Sequence, residues 1–408
     1  MKCRHCHTEL TIPFLDLGSA PHSNAYLTDL SLHDPEPWFP LKVLVCTKCW
    51  LVQTEDVVDA GQLFTADYAY FSSYSETWLK HAEDYVRATA ERFNLGHESL
   101  VVELAANDGY LLQYVRSRGI QCLGIEPTAN TAQAARDKGI EIIQAFFTRE
   151  LGSSLAASGK QADLVVANNV LAHVPDINDF LLGISDLLKP EGVATFEFPH
   201  LLELVRNAQF DTVYHEHFSY LSMTALLGIL DQNGLTPFDL EHLTTHGGSL
   251  RIYAQRRDTG QRQISSRLKA CLDLEARAGM VDQAYYATLQ PKADEIKNAF
   301  LTFLLEARKA GKEVAGYGAA AKGNPLLNYA GIRPDLLPFV VDRNPAKQGK
   351  YLPGSRIPIF SEAALSVHRP DFIVILPWNL RDEVMDQLAY VHEWGGQFVT
   401  AVPALRIG

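Results

Sequence analysis

Tyr214-His215-Glu216-His217 sets a tyrosine, two histidines and a glutamate side by side within DTVYHEHFSYLS. Histidine titrates near neutrality and suits general base or acid work. A neighbouring glutamate can orient that base or a substrate hydroxyl, and a tyrosine hydroxyl can donate to a developing oxyanion. Alternation along a strand would bring His215 and His217 to one face, which is the metal reading. No third ligand at a clear spacing accompanies them, and H-E-x-x-H is absent, so proton transfer is favoured over metal chemistry. A solvated surface turn is the bland alternative.

A second cluster is made of cysteines. Cys3/Cys6 and Cys46/Cys49 are two C-x-x-C pairs separated by about 39 residues. Each pair reads as a short turn, and four thiolates complete a tetrahedron around Zn²⁺ with no open position, so a structural zinc is expected. His5 and His7 are the substitute ligands. The thioredoxin-like βα context that a redox C-x-x-C would need is missing. Cys122 and Cys271 stand alone and read as small buried fillers, and no disulfide framework is expected in a long chain without a secretion signal.

These groups need elements to position them. From Glu76 to about Phe93, Trp78, Leu79, Ala82, Tyr85 and Val86 recur at helical spacing. The pattern then becomes α/β. SLVVELAANDGYLLQYVRSRG reads as strand, tight loop and helix, CLGIEPT as a second strand, and ADLVVANNVLAHV and VATFEFP as later ones. Segments near Phe238–His242 and Leu250–Ala254 can pair as a closing hairpin. A charged helical stretch follows at 261–310, and then a second α/β unit built from KEVAGYGAAAKGNPLLNYAG, LPFVVDRNPAK, DFIVILPWN and QFVTAVP. Alternating strands and helices imply mostly parallel sheets with ligands at the carboxyl ends of the strands.

The loop after the first strand, Ala105-Ala106-Asn107-Asp108-Gly109, fails the G-x-G-x-x-G dinucleotide pattern. Glu103 sits at the strand end, and about twenty residues on Glu126 ends the next strand, where a carboxylate can hold ribose hydroxyls. A small-residue loop, an acid and no phosphate-binding lysine suit a nucleoside without phosphates. S-adenosylmethionine is one, with a sulfonium that carboxylates would welcome; a nicotinamide cofactor is the alternative. The candidate contacts are Glu103, Ala105, Asn107, Gly109, Glu126, Pro127 and Asn168. In the second unit, Gly316 and Gly318 follow a strand, and Lys322 and Gly323 stand where a helix should start, an arrangement able to hold a phosphate. Gly318, Lys322, Asn324 and the acid Asp342 are the candidate contacts there, for a nucleotide-bearing acceptor.

The paired C-x-x-C, VVELAANDGYLL, NNVLAHVPD, YHEHFSYLS, THGGSLR and GYGAAAKGN occur in this order along nearly the whole chain. Together they resemble the zinc-containing, S-adenosylmethionine-dependent C-methyltransferases of nucleotide-linked keto-deoxysugars. The resemblance implies an α/β chain with a small zinc-binding domain (1–75) and a class I methyltransferase-type Rossmann-like domain (76–260). A helical connector (261–309) and a second Rossmann-like domain (310–408) for the nucleotide sugar complete it. It implies methylation at C-3 of a dTDP-4-keto-6-deoxyhexose, beside the ketone. Matching the motifs residue by residue, it assigns Tyr70, two before the Ser-Ser of YAYFSSYS, His173, Tyr214, Glu216 and His217 to the catalytic site. Members often carry aspartate where His215 stands, and Ile-Gly-Cys where this chain has Leu-Ala-Ala. Carbon methylation needs a base for the C-3 proton and a donor for the enolate oxygen. His217 is the expected base and Glu216 its orienter or that of a sugar hydroxyl. Tyr214, Tyr70 and His173 would stand around the enolate and sulfonium. THGGSLR reads as a glycine-dependent turn at the site's rim.

The formal net charge of -12 over 408 residues argues against a nucleic-acid partner. No secretion signal opens the chain and no apolar run approaches a membrane span, so a cytoplasmic protein without membrane partners is expected, and a monomer, since no apolar stripe stands out. A nicotinamide-dependent nucleotide-sugar oxidoreductase and a non-catalytic zinc and nucleotide binding module are the alternative functions.

Overall fold

The computed structural model describes residues 1–55 and 71–408. Tyr70 therefore lies outside the described residues. The two C-x-x-C turns hang from an antiparallel sheet of β1 (Ile12–Ala20), β2 (Phe39–Val45) and β3 (Val52–Thr54).

The helix Glu76–Arg92 starts where the Ser75 hydroxyl accepts from the Trp78 amide at 3.3 Å, a cap that satisfies one of the orphan donors of a first turn. Its buried stripe is Ala82, Tyr85, Val86, Thr89 and Ala90, the spacing of a helix half-sunk in a core. Beyond it lie β4 (Leu100–Leu104), β5 (Gln121–Ile125), β6 (Ile142–Ile143), β7 (Ala162–Asn168) and β8 (Leu188–Pro199), all parallel. The run Val101 to Leu104 is buried throughout, as strands covered on both faces require. The chain lays β5 and β6 to one side of β4, then returns to lay β7 and β8 on the other. That reversal opens a crevice beyond the carboxyl ends of β4 and β7.

The short β9 (Ser219–Tyr220) leaves this sheet altogether. It pairs antiparallel with β3, Val52 opposite Tyr220 and Gln53 opposite Ser219, as the fourth strand of the N-terminal sheet. The expected hairpin is β10 (Leu235–Leu243) and β11 (Ser249–Arg256), with Leu240 opposite Ile252 and β11 inserted antiparallel against β8. The full order is β10-β11-β8-β7-β4-β5-β6.

Helices Ser266–Ala278, Gln283–Tyr286 and Leu289–Lys309 lead to the second α/β sheet. It holds β12 (Val314–Tyr317), β13 (Val340–Val341), β14 (Ile359–Phe360), β15 (Phe372–Ile375), β16 (Gln397–Thr400) and β17 (Arg406–Ile407). Their order is β14-β13-β12-β15-β16-β17, parallel but for β17, so it too reverses beside its first strand.

One contiguous set of buried apolar side chains runs from Phe14, Leu41 and Val43 through Leu201–Val205 and Phe300–Leu304 to Val314 and Val374. The N-terminal sheet is thus built into the C-terminal half rather than tethered to it. Cys271 is buried as expected, whereas Cys122 is only half-buried, on a strand near the sheet's edge. No helix among the described residues is long and apolar enough to cross a membrane.

Candidate active site

A cavity of about 520 Å³ opens at the crevice beyond β4 and β7, within the size range of small-molecule sites. Its walls come from all three regions: Asn24 from the N-terminal segment, Tyr214, Glu216, His217, His173 and the donor-side loops from the centre, and Lys322 and Lys347 from the C-terminal unit.

The segment before β9 is not a strand. Phe210–Thr212 makes a tight helical turn, and the His217 amide then closes on the Tyr214 carbonyl at 2.9 Å. The alternation behind the metal reading is therefore absent, and the two histidines part. His215 turns to the N-terminal sheet, its Nε2 3.1 Å from the Pro40 carbonyl and its ring against His22 and Phe39. Burial pushes its pKa down, so it adds no charge to the site. His217 lines the cavity. Its Nδ1 donates to the Thr212 carbonyl at 2.9 Å, and burial, with His173 next to it, holds its pKa well below the usual histidine value. A neutral ring with its hydrogen on Nδ1 carries a lone pair on Nε2, the form a general base needs. The His217 ring lies 4.1 Å from that of Tyr214 and 4.6 Å from that of His173, centre to centre. Glu216 accepts from the Asn24 amide.

His173 lines the cavity beside His217. Burial lowers its pKa to about 4, and it hydrogen-bonds the Glu216 backbone. It is a neutral ring, not a cation, and His246 is pushed to about 4 by burial as well. Stabilisation of an oxyanion here falls to a neutral donor or to a lysine.

On the donor side, Ala105, Asn107, Glu126, Pro127 and Asn168 line the cavity as expected. Ala105 (φ 54°) and Asn107 (φ 49°) take left-handed backbones that fold the loop tightly. Glu103 and Gly109 do not line it. Glu103 is buried beneath the loop against Tyr110, and burial raises its pKa well above the carboxylate range, so it offers a sulfonium no charge. Gly109 packs inward, where a Cβ would stand 2.4 Å from Ile140 Cδ1. Glu126 receives the Asn107 amide at 2.9 Å and both the amide and hydroxyl of Thr128. Of its roughly four acceptor positions the chain thus takes three, so the Thr128 hydroxyl must turn away before two ribose hydroxyls can bind. Asn168 Oδ1 and Asn169 Nδ2, buried at the wall, have no partner among the described residues. Unmet polar groups facing a cavity call for a polar ligand, and S-adenosylmethionine fits them.

In the C-terminal unit only Lys322 of the four predicted contacts reaches the wall. Its Nζ meets Asn379 Oδ1 at 2.7 Å and lies 4.9 Å from the centre of the Trp378 ring. Burial lowers its pKa while Asp211 opposes the shift, and burial raises Asp211 to about 6. Asp342 instead clamps the glycine-rich loop, accepting from the Ala319 amide at 2.7 Å, as Glu126 does in the first unit. Gly318 packs on Pro377 and Asn324 donates to the Ser23 carbonyl.

The rim turn behaves as expected. His246 lines the cavity against Trp78, 5.3 Å between ring centres. Gly247 (φ 84°) leaves room for Trp378, whose Cη2 would stand 2.5 Å from an added Cβ. Gly247→Ala is expected to lower stability by about 1–3 kcal/mol through overpacking and backbone strain. Gly228→Ala, in a helix with nothing within 4 Å, is the control of opposite sign in the same denaturant titration, expected to gain about 0.5–1 kcal/mol from the helix preference for alanine.

The four cysteine sulfurs lie within 4.8 Å of one another, Cys3 to Cys49 at 3.6 Å and Cys6 to Cys46 at 3.4 Å. A tetrahedral site with Zn–S bonds of about 2.3 Å has edges of about 3.8 Å, so the cluster fits zinc. Gln53 donates to Cys3 Sγ at 3.3 Å, the outer-shell contact such a site needs. His5 Nδ1 is engaged with Asn178, and the group of metal-type donors here is made of the four cysteines without His5. The other group with metal-type donors among the described residues is His200, Cys271 and Glu275. There Glu275 already accepts from His200 and from the first amides of helix Met223–Gln232, so it serves as a helix cap.

Sequence reasoning missed Asn24, Lys347 and Trp78 on the wall. Asn24 lies in SAPHSNAYL, which reads as filler between the cysteine pairs, and Lys347 follows a strand of only two residues; neither has local periodicity to expose it.

Three family models match the chain: a zinc binding domain over residues 3–64, a methyltransferase domain over 78–240, and a C-methyltransferase C-terminal domain over 244–403. The chain is 34% identical to the C-methyltransferase NovU of Streptomyces niveus over 406 residues, covering 100% of this chain and 96% of that protein. Among solved structures, the magnesium protoporphyrin IX methyltransferase ChlM from Synechocystis PCC 6803 with bound SAH matches 44% of this chain and 83% of its own, at 16% identity and a TM-score of 0.36. PH0226 protein from Pyrococcus horikoshii OT3 matches 46% of this chain and 95% of its own, at 15% identity and a TM-score of 0.39.

Proposed function

The chain belongs to the S-adenosylmethionine-dependent C-methyltransferase family with an N-terminal zinc-binding domain, and on that premise we propose that it methylates C-3 of a nucleotide-linked 4-keto-6-deoxyhexose through an enolate. The observation that carries this reading is the neutral His217, its Nδ1 hydrogen committed to Thr212, lining a cavity that Lys322 and Lys347 also line.

A saturated carbon becomes nucleophilic when an adjacent ketone takes up the electrons of its C–H bond. His217 Nε2 removes the C-3 proton, and the electron pair moves into the C-3 to C-4 bond as the ketone oxygen gains charge. The Tyr214 hydroxyl supplies that oxygen's hydrogen bond in a water-poor site. S-adenosylmethionine, when bound, would supply an electrophilic methyl on sulfur and leave as S-adenosylhomocysteine, the sulfur keeping the electron pair of the broken carbon–sulfur bond. The enolate carbon takes that methyl, the C-4 ketone re-forms, and the proton stays on His217 until solvent removes it. The two lysines suit the diphosphate of the acceptor. On the same reading residues 1–75 bind zinc, 76–260 the methyl donor and 310–408 the nucleotide, with 261–309 as connector.

The test is incubation with isotopically labelled S-adenosylmethionine and a panel of nucleotide 4-keto-6-deoxysugars in deuterated water, followed by mass spectrometry. A methyl on carbon with a keto sugar, and none with its 4-hydroxy analogue, is the expected result. Methylation of the 4-hydroxy analogue would defeat the enolate route. No methylation and no exchange across the panel would defeat the acceptor assignment.

A further inference from the structure

The segment between β1 and β2 leaves the zinc-bearing sheet and runs into the active site. Asn24 lines the cavity and donates its amide hydrogen to Glu216 Oε1 at 2.6 Å, across 192 positions of sequence. We propose that Asn24 is a positioning residue for the methylation site, fixing the plane of the Glu216 carboxylate beside His217. The inference rests on the reading of Glu216 as a member of the reacting site.

The segment is held on the C-terminal unit on either side of Asn24 in the chain. Asn324 Nδ2 donates to the Ser23 carbonyl at 2.6 Å and the Tyr26 hydroxyl donates to the Ala319 carbonyl at 2.6 Å. It also pairs with the C-terminal unit, Leu27 bridging Tyr351. The Asn24 amide therefore arrives at Glu216 on a backbone that is already ordered, and little freedom is lost when its hydrogen bond forms. An amide orients the carboxyl group without setting a formal charge of its own beside it, as a lysine would. Asn324, expected to touch the nucleotide, acts through this segment instead.

Asn24→Leu removes the donor at nearly constant volume. It is expected to lower kcat by about 10- to 100-fold, the range for leaving one buried acceptor unsatisfied, with S-adenosylhomocysteine binding and the thermal midpoint close to wild type. In a Glu216→Gln background the same substitution should cost nothing further, since residues acting through one another do not add. Losses that multiply, or an Asn24→Leu enzyme as fast as wild type, would overturn the proposal. A crystal structure of the variant with S-adenosylhomocysteine gives a readout free of turnover. A Glu216 carboxylate rotated from its wild-type plane supports the inference even if no sugar on the panel is methylated, in which case only the acceptor assignment fails. A carboxylate that has not moved overturns it whatever the turnover.

Discussion

Replacing His217 with asparagine is expected to lower kcat by about 10²–10⁴, the usual contribution of a positioned general base. Asparagine keeps a side-chain N–H for the Thr212 carbonyl and cannot take a proton from carbon. Donor binding, measured by calorimetry with S-adenosylhomocysteine, should stay as in wild type, because the His217 ring is anchored on the Thr212 carbonyl while Glu126 is held by the Asn107 and Thr128 amides. Exchange of the C-3 hydrogen with deuterated solvent should fall in parallel with methylation. If exchange persists at the wild-type rate while methylation is lost, the base is another group and His217 only shapes the site.

The pH dependence follows from the same burial. A base works when unprotonated, and that fraction declines as pH falls through its pKa. Burial lowers the His217 pKa well below 6.5, and His173, His246 and Lys322 around the cavity push the same way, against the Thr212 carbonyl that favours the charged ring. The rate should thus be flat across neutrality and decline only in acid, below the ordinary histidine range. A rate that halves near pH 6.5 would place the limiting group in a more solvated position than His217 occupies.

Much of this site is written in local patterns. The strands ending in Glu103 and Glu126, the buried helix stripe from Ala82 to Ala90, and the two C-x-x-C turns each follow from periodicity or ligand spacing within a few residues. What escapes is long-range. Nothing near Ser219-Tyr220 announces that these two residues join a strand more than 160 positions earlier, yet that pairing turns His215 away from His217. Nothing in SAPHSNAYL marks Asn24 as a partner of Glu216. The raised pKa of Glu103 and the lowered pKa of His173 are equally invisible in sequence, because both come from burial in the folded chain. Residue identity predicts which groups can do the chemistry; the tertiary contacts decide their protonation and which way they face.

Those contacts make zinc removal the second large effect. Stripping the metal with a chelator, or replacing Cys46 with serine, is expected to abolish methylation as well as destabilise the N-terminal region. Structural zinc on thiolates contributes apparent binding energies on the order of 10 kcal/mol, which the fold loses with the ion. A zinc domain on a tether would lose its own structure and leave the rest intact, but this one touches the loops that carry His173 and His217 directly. Arg4, between Cys3 and Cys6, donates to the Pro175 carbonyl at 2.9 Å and to the Thr54 carbonyl at 3.1 Å. Pro175 closes the loop that carries His173, and the Thr54 hydroxyl donates to the His217 carbonyl at 3.1 Å. Gln53, which donates to Cys3, also accepts from the Arg4 amide and pairs with Ser219 just past the histidine. Arg4→Ala separates the two consequences: it keeps all four ligands, so zinc content measured by mass spectrometry should stay at one ion per chain. Its kcat should nevertheless drop by about tenfold, as the loss of hydrogen bonds from a charged donor allows. Full activity in the zinc-free protein would mean that the β3–β9 pairing and the shared core hold both histidine loops unaided, and the zinc would then serve folding alone.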